Sequence, residues 1–346
     1  MLPSGVQAAR AARLVYVTDA EAGITRKGAG RGFAYFDARG RRIADAAERR
    51  RIAAIGIPPA WTDVWICPDV LGHICATGRD AKGRKQYRYH PEFRAKRDQS
   101  KFGRLLTFSE ALPKLRDHVA RDLGRPELDR KKLLATLVRL LDKTLIRVGN
   151  EGYAKANRSY GLTTLKRRHV EVEGHTLRFD FRGKSGIDHS VEVTDRRLAE
   201  VVQELQDLPG QNLFQYLDED GTRHKVRSED VNEYLRRSSG LDVTAKDFRT
   251  WTGTMLAARE LRELGPTESE REAKRNVNQV LDLVADKLGN TRTVCRQYYV
   301  HPAIIEAYHR GVTVPESPRL SRGEGRQTAA LRREEVVVLQ FLEEEA

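Results

Sequence analysis

The sequence predicts an α+β fold: a small β-rich N-terminal domain (1–95), then a larger, mainly α-helical domain (96–315), then a flexible tail (316–346). Three observations predict it. Up to about residue 90, apolar and polar residues alternate in short runs, the two-residue period of half-buried strands. Beyond about 102 the period lengthens to that of amphipathic helices. Inside the helical part, 168–193 returns to alternation around the turn Gly183-Lys184-Ser185-Gly186, as a small antiparallel sheet would.

In the first part, Phe33-Ala34-Tyr35-Phe36 reads as a strand leading to the turn Asp37-Ala38-Arg39-Gly40 and a polar return through Ile43. A helix at about 45–55 carries Arg49-Arg50-Arg51 on a solvated face. Val64-Trp65-Ile66-Cys67 is β-prone, and 73–78 and 85–90 flank the turn 79–83 as a hairpin. On its second strand Tyr87 and Tyr89 share one face, while Gln86, Arg88 and His90 take the other. Interleaved aromatics and cations suit a surface that packs sugars or bases and reaches phosphates. Ordinary tyrosines at the edge of a core give the same pattern. The polar run 91–101 has few apolar anchors and reads as the domain boundary.

In the second part, Leu133, Leu137, Leu140, Leu141 and Val148 mark one face of a helix over 131–148, closed by Gly149-Asn150. Arg147 falls at the border of that face, where a guanidinium is costly to desolvate unless it meets an anion or a structural carboxylate. Leu177, Phe179 and Phe181 alternate on a strand, and Lys184 sits on the turn that follows. A lysine there is either solvated or projected towards a ligand. Thr244 and Asp247 have the spacing of a capping box, so Lys246 and Arg249 lie in the opening turns of a helix. Cations are disfavoured there by the helix dipole, which a phosphate between them would relieve. Val277, Val280, Leu281, Val284 and Leu288 form a further helix ended by Gly289, with Asn290 just beyond. Nine residues on is Tyr299, beside Tyr298. A tyrosine with two arginines and a lysine points to chemistry on a phosphodiester.

The charge agrees. Lys and Arg number 62 against 49 Asp and Glu, a net +13, which favours a polyanionic partner over a neutral one. Cys67, Cys75 and Cys295 lack metal-ligand spacing and read as reduced thiols. The reduced thiols suit a cytoplasmic protein, nucleoid-associated if its polyanionic partner is DNA, and no apolar run has the length of a signal peptide or a membrane span.

Five segments in order then resemble a known family. Leu145-Ile146-Arg147-Val148-Gly149-Asn150-Glu151, Tyr160-Gly161-Leu162-Thr163-Thr164-Leu165, Gly183-Lys184-Ser185-Gly186, Lys246-Asp247-Phe248-Arg249-Thr250, and Gly289-Asn290-Thr291 with Tyr299 are similar to the motifs of type IB DNA topoisomerases. Gln86-Tyr87-Arg88-Tyr89 resembles the poxvirus-like bacterial branch. The likeness runs from about 20 to about 311. It implies a two-domain clamp on duplex DNA, with Tyr299 as the nucleophile that forms a 3′-phosphotyrosyl bond. Arg147 and Arg249 would stabilise the non-bridging oxygens, and Lys184 would protonate the leaving 5′-oxygen. Many members carry a histidine where this chain has Asn290, which can donate a hydrogen bond but not act as an acid. Lys246 would contact DNA beside the cut. The resemblance implies no cofactor and no metal, and a monomer is expected.

Two other functions use much of the same pattern. Tyrosine recombinases share the Arg–Lys–Arg–Tyr set, but usually have His-x-x-Arg at the second arginine, where this chain has Lys246, and a helical N-terminal domain. A non-catalytic DNA-binding clamp would need only the basic groove, and would not need the reactive residues that are all present.

Overall fold

A computed structural model describes residues 4–30, 32–218, 220–316 and 332–345. The chain divides into two compact units, 1–103 and 104–346.

The first unit opens with helix α1 (Ser4–Ala11) and is built on a five-stranded antiparallel sheet, β1 (Ile24–Ala29), β2 (Gly32–Phe36), β3 (Thr62–Ile66), β4 (Ile74–Arg79) and β5 (Lys85–Tyr89), in the order β2-β1-β3-β4-β5. Helix α2 (Ala46–Ala54) lies between β2 and β3 in sequence. The pleat divides the apolar residues between two faces. Ile24, Val64, Ile66 and Ala76 pack with Ile52 of α2, whereas Trp65, Cys67 and Ile74 pack with Val17. The predicted hairpin is present, with Thr77 opposite Tyr87 and Gly78 opposite Gln86. β1 was not predicted: in Ile24–Ala29, Ile24 is the lone buried residue, which leaves no alternation to read. The expected polar return after Gly40 makes only the isolated bridge Phe36–Arg42.

The run 91–101 is not a linker. It opens helix α3 (Pro91–Leu123), and the division between the units falls inside that helix, after Gly103 rather than after residue 95. Proline in the first turn and a run rich in Glu, Arg, Ala, Lys and Gln favour helix without any apolar stripe. Absence of anchors was therefore a poor sign of a break.

The second unit holds α4 (Arg130–Thr144), α5 (Glu151–Asn157), a three-stranded antiparallel sheet β6 (Val170–Glu173), β7 (Thr176–Arg182) and β8 (Asp188–Thr194), and α6 (Arg196–Asp207). A small ribbon of β9 (Gln215–Leu217) and β10 (Arg223–Lys225) follows, then α7 (Ser228–Ser239), α8 (Ala245–Leu264), α9 (Glu270–Leu288), α10 (Arg292–Tyr298), α11 (Pro302–His309) and α12 (Arg333–Glu344). One core joins them: Leu105, Phe108 and Leu115 of α3, Leu137 and Leu141 of α4, Phe179 of β7, Phe248 and Trp251 of α8, and Val280 and Val284 of α9 are all buried.

Two further expectations need correction. Helix α4 stops at Thr144, not at Val148, because Leu145 adopts the left-handed conformation (φ 59°) and donates its N–H to the Leu141 carbonyl. Asn150 does not close α4; its side chain caps α5 by accepting from the Tyr153 N–H at 3.2 Å. Arg147 is therefore a loop residue. The second correction concerns the end of the chain. Ser317-Pro318 and Ser321–Gly325 lie outside the described residues, but 332–345 is no flexible tail: α12 buries Val337, Val338, Phe341 and Leu342 in the main core.

Candidate active site

The site is assembled from the ends of secondary-structure elements. Arg249, on the second turn of α8, is 5% exposed. Its Nη1 donates to the carbonyl of Leu145, the cap of α4, and its Nη2 to the carbonyl of Leu288, the last residue of α9. Both are carbonyls at helix C-termini, which lack an intrahelical donor and carry the negative end of the dipole. Arg249 thus escapes the positive end of its own helix by reaching the negative ends of two others, and a phosphate is not needed to explain its burial. Its Nε is buried with no hydrogen-bond partner. Burial pushes this guanidinium below its ordinary pKa, and the neighbouring Tyr299 opposes that shift.

Arg147 holds the same end of α9. Its Nη2 donates to the Gly289 carbonyl at 2.9 Å and to Asn290 Oδ1 at 2.8 Å. Burial and the neighbouring Arg249 charge push it down to about 10. Gly289 takes the left-handed conformation (φ 56°), and the Asn290 N–H reaches back to the Ala285 carbonyl, closing α9. Because a guanidinium only donates, Asn290 must turn Oδ1 towards Arg147. Its Nδ2 is left as a buried donor with no partner. A donor in that state is costly unless something arrives to accept from it.

Tyr299 is the cap of α10 and half-buried, with Arg249 Cζ 5.4 Å from its ring centroid. Its backbone is seated on α8. The Thr254 hydroxyl lies 3.5 Å from the Tyr299 carbonyl and accepts from the His301 N–H at 3.1 Å. The approach is close because residue 253 is glycine: a Cβ there would lie 2.5 Å from the Tyr299 carbonyl oxygen. Lys246 is exposed, with Nζ 5.6 Å from the Tyr298 ring centroid and 6.0 Å from that of Tyr299.

Lys184 is exposed on the β7–β8 turn, where Ser185 has φ 66°. It lines one cleft with Arg147, Arg249, His189 and Lys287. The structure therefore brings Arg147, Lys184 and Arg249 to a single cleft, with Asn290 bonded to the first and Tyr299 beside the last. Two guanidiniums, an ammonium, an amide donor and a phenol so placed suit a phosphodiester, since guanidinium matches phosphate geometry and a lysine can surrender a proton.

The predicted DNA-contacting strand lies in the first unit. Tyr87 is 41% exposed and stacks on Tyr89, with ring centroids 5.8 Å apart. Gln86 donates to Asp80 at 2.9 Å and Arg88 to the Gly56 carbonyl at 2.8 Å, so both are held within the unit.

Known proteins resemble the chain over both units. Residues 90–315 match the family model described as the catalytic core of eukaryotic DNA topoisomerase I, and 32–80 match the N-terminal domain of bacterial DNA topoisomerase IB. The chain belongs to the type IB DNA topoisomerase family. A relative from Acanthamoeba polyphaga mimivirus, DNA topoisomerase 1B, is 32% identical, covering 83% of this chain and 87% of its own. The Vaccinia virus (strain Copenhagen) protein of the same name is 24% identical, with 73% and 79% covered. The catalytic-core match ends before α12, whose docking is thus a feature beyond it.

Two residues of the site escaped the sequence reading. In the sequence His189 reads only as part of a strand. Pairing across the turn sets it opposite the buried Phe181, and that register was the available signal. Gly253 was overlooked, although glycine inside an otherwise regular helix costs about 1 kcal/mol relative to alanine and invites a packing reason.

Proposed function

We propose that this chain nicks one strand of duplex DNA, lets the cut strand rotate and reseals it, relaxing supercoils of either sign as a type IB topoisomerase. The Tyr299 phenol loses its proton to solvent as its oxygen bonds the scissile phosphorus. The bond from phosphorus to the 5′-oxygen breaks, and Lys184 protonates the departing oxygen. Resealing is the reverse, and because the phosphotyrosyl bond conserves the energy of the phosphodiester, no nucleotide is consumed. Arg147 and Arg249 carry the charge of the non-bridging oxygens, and the unpartnered Nδ2 of Asn290 supplies a further donor to them. Lys246 contacts DNA beside the cut. Gln86, Tyr87, Arg88 and Tyr89 contribute to duplex binding from the other unit, so that the two act as a clamp, and the protein works as a monomer.

The observation that carries the reading is the cleft shared by Arg147, Lys184 and Arg249, with Arg249 against the Tyr299 ring. The test is incubation with supercoiled plasmid in excess chelator without nucleotide, followed by a denaturing quench. Relaxation with a covalent adduct is expected, and Tyr299→Phe should form no adduct while still binding DNA. Loss of the adduct in Tyr298→Phe instead would move the nucleophile by one residue, and exchange only at paired sites would indicate a recombinase.

A further inference from the structure

The His189 imidazole occupies the space that two absent side chains would fill. A Cβ on Gly183 would lie 2.4 Å from its Cδ2 and 2.5 Å from its Nε2, and a Cβ on Gly289 would lie 2.6 Å from its Cε1. Gly183 immediately precedes Lys184, and Gly289 immediately precedes Asn290 and accepts from Arg147. One flat ring therefore separates the hairpin tip from the C-terminal end of α9. Its other side is backed by Phe181, stacked at a centroid distance of 5.2 Å and 20° between planes.

We propose that His189 is a positioning residue that seats the Lys184 hairpin against the end of α9, so that the lysine and Asn290 address the same phosphodiester. The tip needs such a seat. Its turn is closed by the Gly183 N–H donating to the Ile187 carbonyl at 2.7 Å, which shapes the hairpin but does not aim it. Lys184 is exposed, and its stem has many rotamers to lose. The charge of the surroundings fits an uncharged ring: Arg147, Arg249, Lys184 and Lys287 line the same cleft, and Asp188 is the nearby acid. Burial first, then the two arginines, push the imidazole below its ordinary pKa, which keeps it neutral among cations.

The inference rests on Lys184 acting as the acid for the 5′-oxygen, and the test separates the two ideas. Single-turnover cleavage is measured on a duplex with the ordinary 5′-oxygen at the scissile bond and on one with sulfur there, whose thiolate departs without a proton. Lys184→Ala should slow the first by roughly 10²-fold and recover on the second. His189→Ala should slow the first by roughly tenfold and lie within about threefold of the parent on the second. Gly183→Ala should behave likewise: its backbone (φ −96°) suits alanine, so the new methyl acts by displacing the ring. It also carries the test if His189→Ala fails to fold. If Lys184→Ala does not recover, the acid role itself is wrong. Should Lys184→Ala recover while both other variants remain slow on sulfur, or should they cleave the ordinary duplex at the parent rate, His189 does not position the lysine.

Discussion

At the scale of single residues, the site depends on what is missing as much as on what is present. Gly253 lets the Tyr299 carbonyl approach α8, and nothing larger fits without moving one of them. Alanine there should gain about 1 kcal/mol of helix propensity, yet push the Tyr299 backbone outward. A displacement near 1 Å of a reacting group costs on the order of 10²-fold in rate. Gly253→Ala is therefore expected to slow adduct formation by about that factor while leaving DNA affinity and the unfolding midpoint nearly unchanged. Measured adduct rates at the parent level would show that the tyrosine tolerates a shift of its backbone. The residue types of the site were legible in the sequence, since Arg147, Lys184, Arg249, Asn290 and Tyr299 all carry recognisable motifs. Their reasons were not. Arg249 looked misplaced at a helix N-terminus because its sequence neighbours hide the carbonyls of Leu145 and Leu288, 104 and 39 residues away.

At the scale of elements, periodicity located what is amphipathic and failed where stability comes from elsewhere. The stripes of α4 and α9 and the hairpins of both sheets were visible because one face of each is buried. The end of α4 was not visible, because a leucine in left-handed conformation gives no compositional warning. Helix α12 was half-legible: Val337, Val338, Phe341 and Leu342 make an apolar face, but the ionic cluster that fixes it is tertiary. Glu335 accepts from Arg116 at 2.8 Å and from the Trp251 indole at 3.1 Å, and Arg116 also pairs with Asp142 at 3.2 Å. Arg116 holds the Glu335 carboxyl below its ordinary pKa against the opposing effect of burial. Removing one member of a buried cluster strands the others, typically at about 3 kcal/mol or more. Glu335→Ala should accordingly lower the unfolding free energy by about 3 kcal/mol in denaturant titration. A loss below about 1 kcal/mol would mean that the cluster behaves like a surface pair.

At the scale of the whole molecule, the net charge of +13 identifies the class of partner but not where it is held. Nor could any sequence pattern bring Arg147 to Asn290, 143 residues away, since that depends on how α4, α8 and α9 pack. Two exposed residues, one in each unit, offer a way to separate charge from contact. Lys246 can meet DNA only as a cation, whereas Tyr87 offers an uncharged ring already stacked on Tyr89. Each phosphate neutralised releases counterions, so the logarithm of affinity falls against the logarithm of salt with a slope of about −0.9 per contact. Lys246→Ala should make that slope shallower by about 0.9 and weaken binding equally on unrelated duplexes. Tyr87→Ala should weaken binding by about 1 kcal/mol or more, as loss of an aromatic contact does, with the slope unchanged. Equal slopes for the parent and Lys246→Ala would remove the lysine from the DNA interface. A change of slope in Tyr87→Ala would mean that the ring serves to hold a cation, with Lys85 Nζ 5.6 Å from its centroid the first to examine.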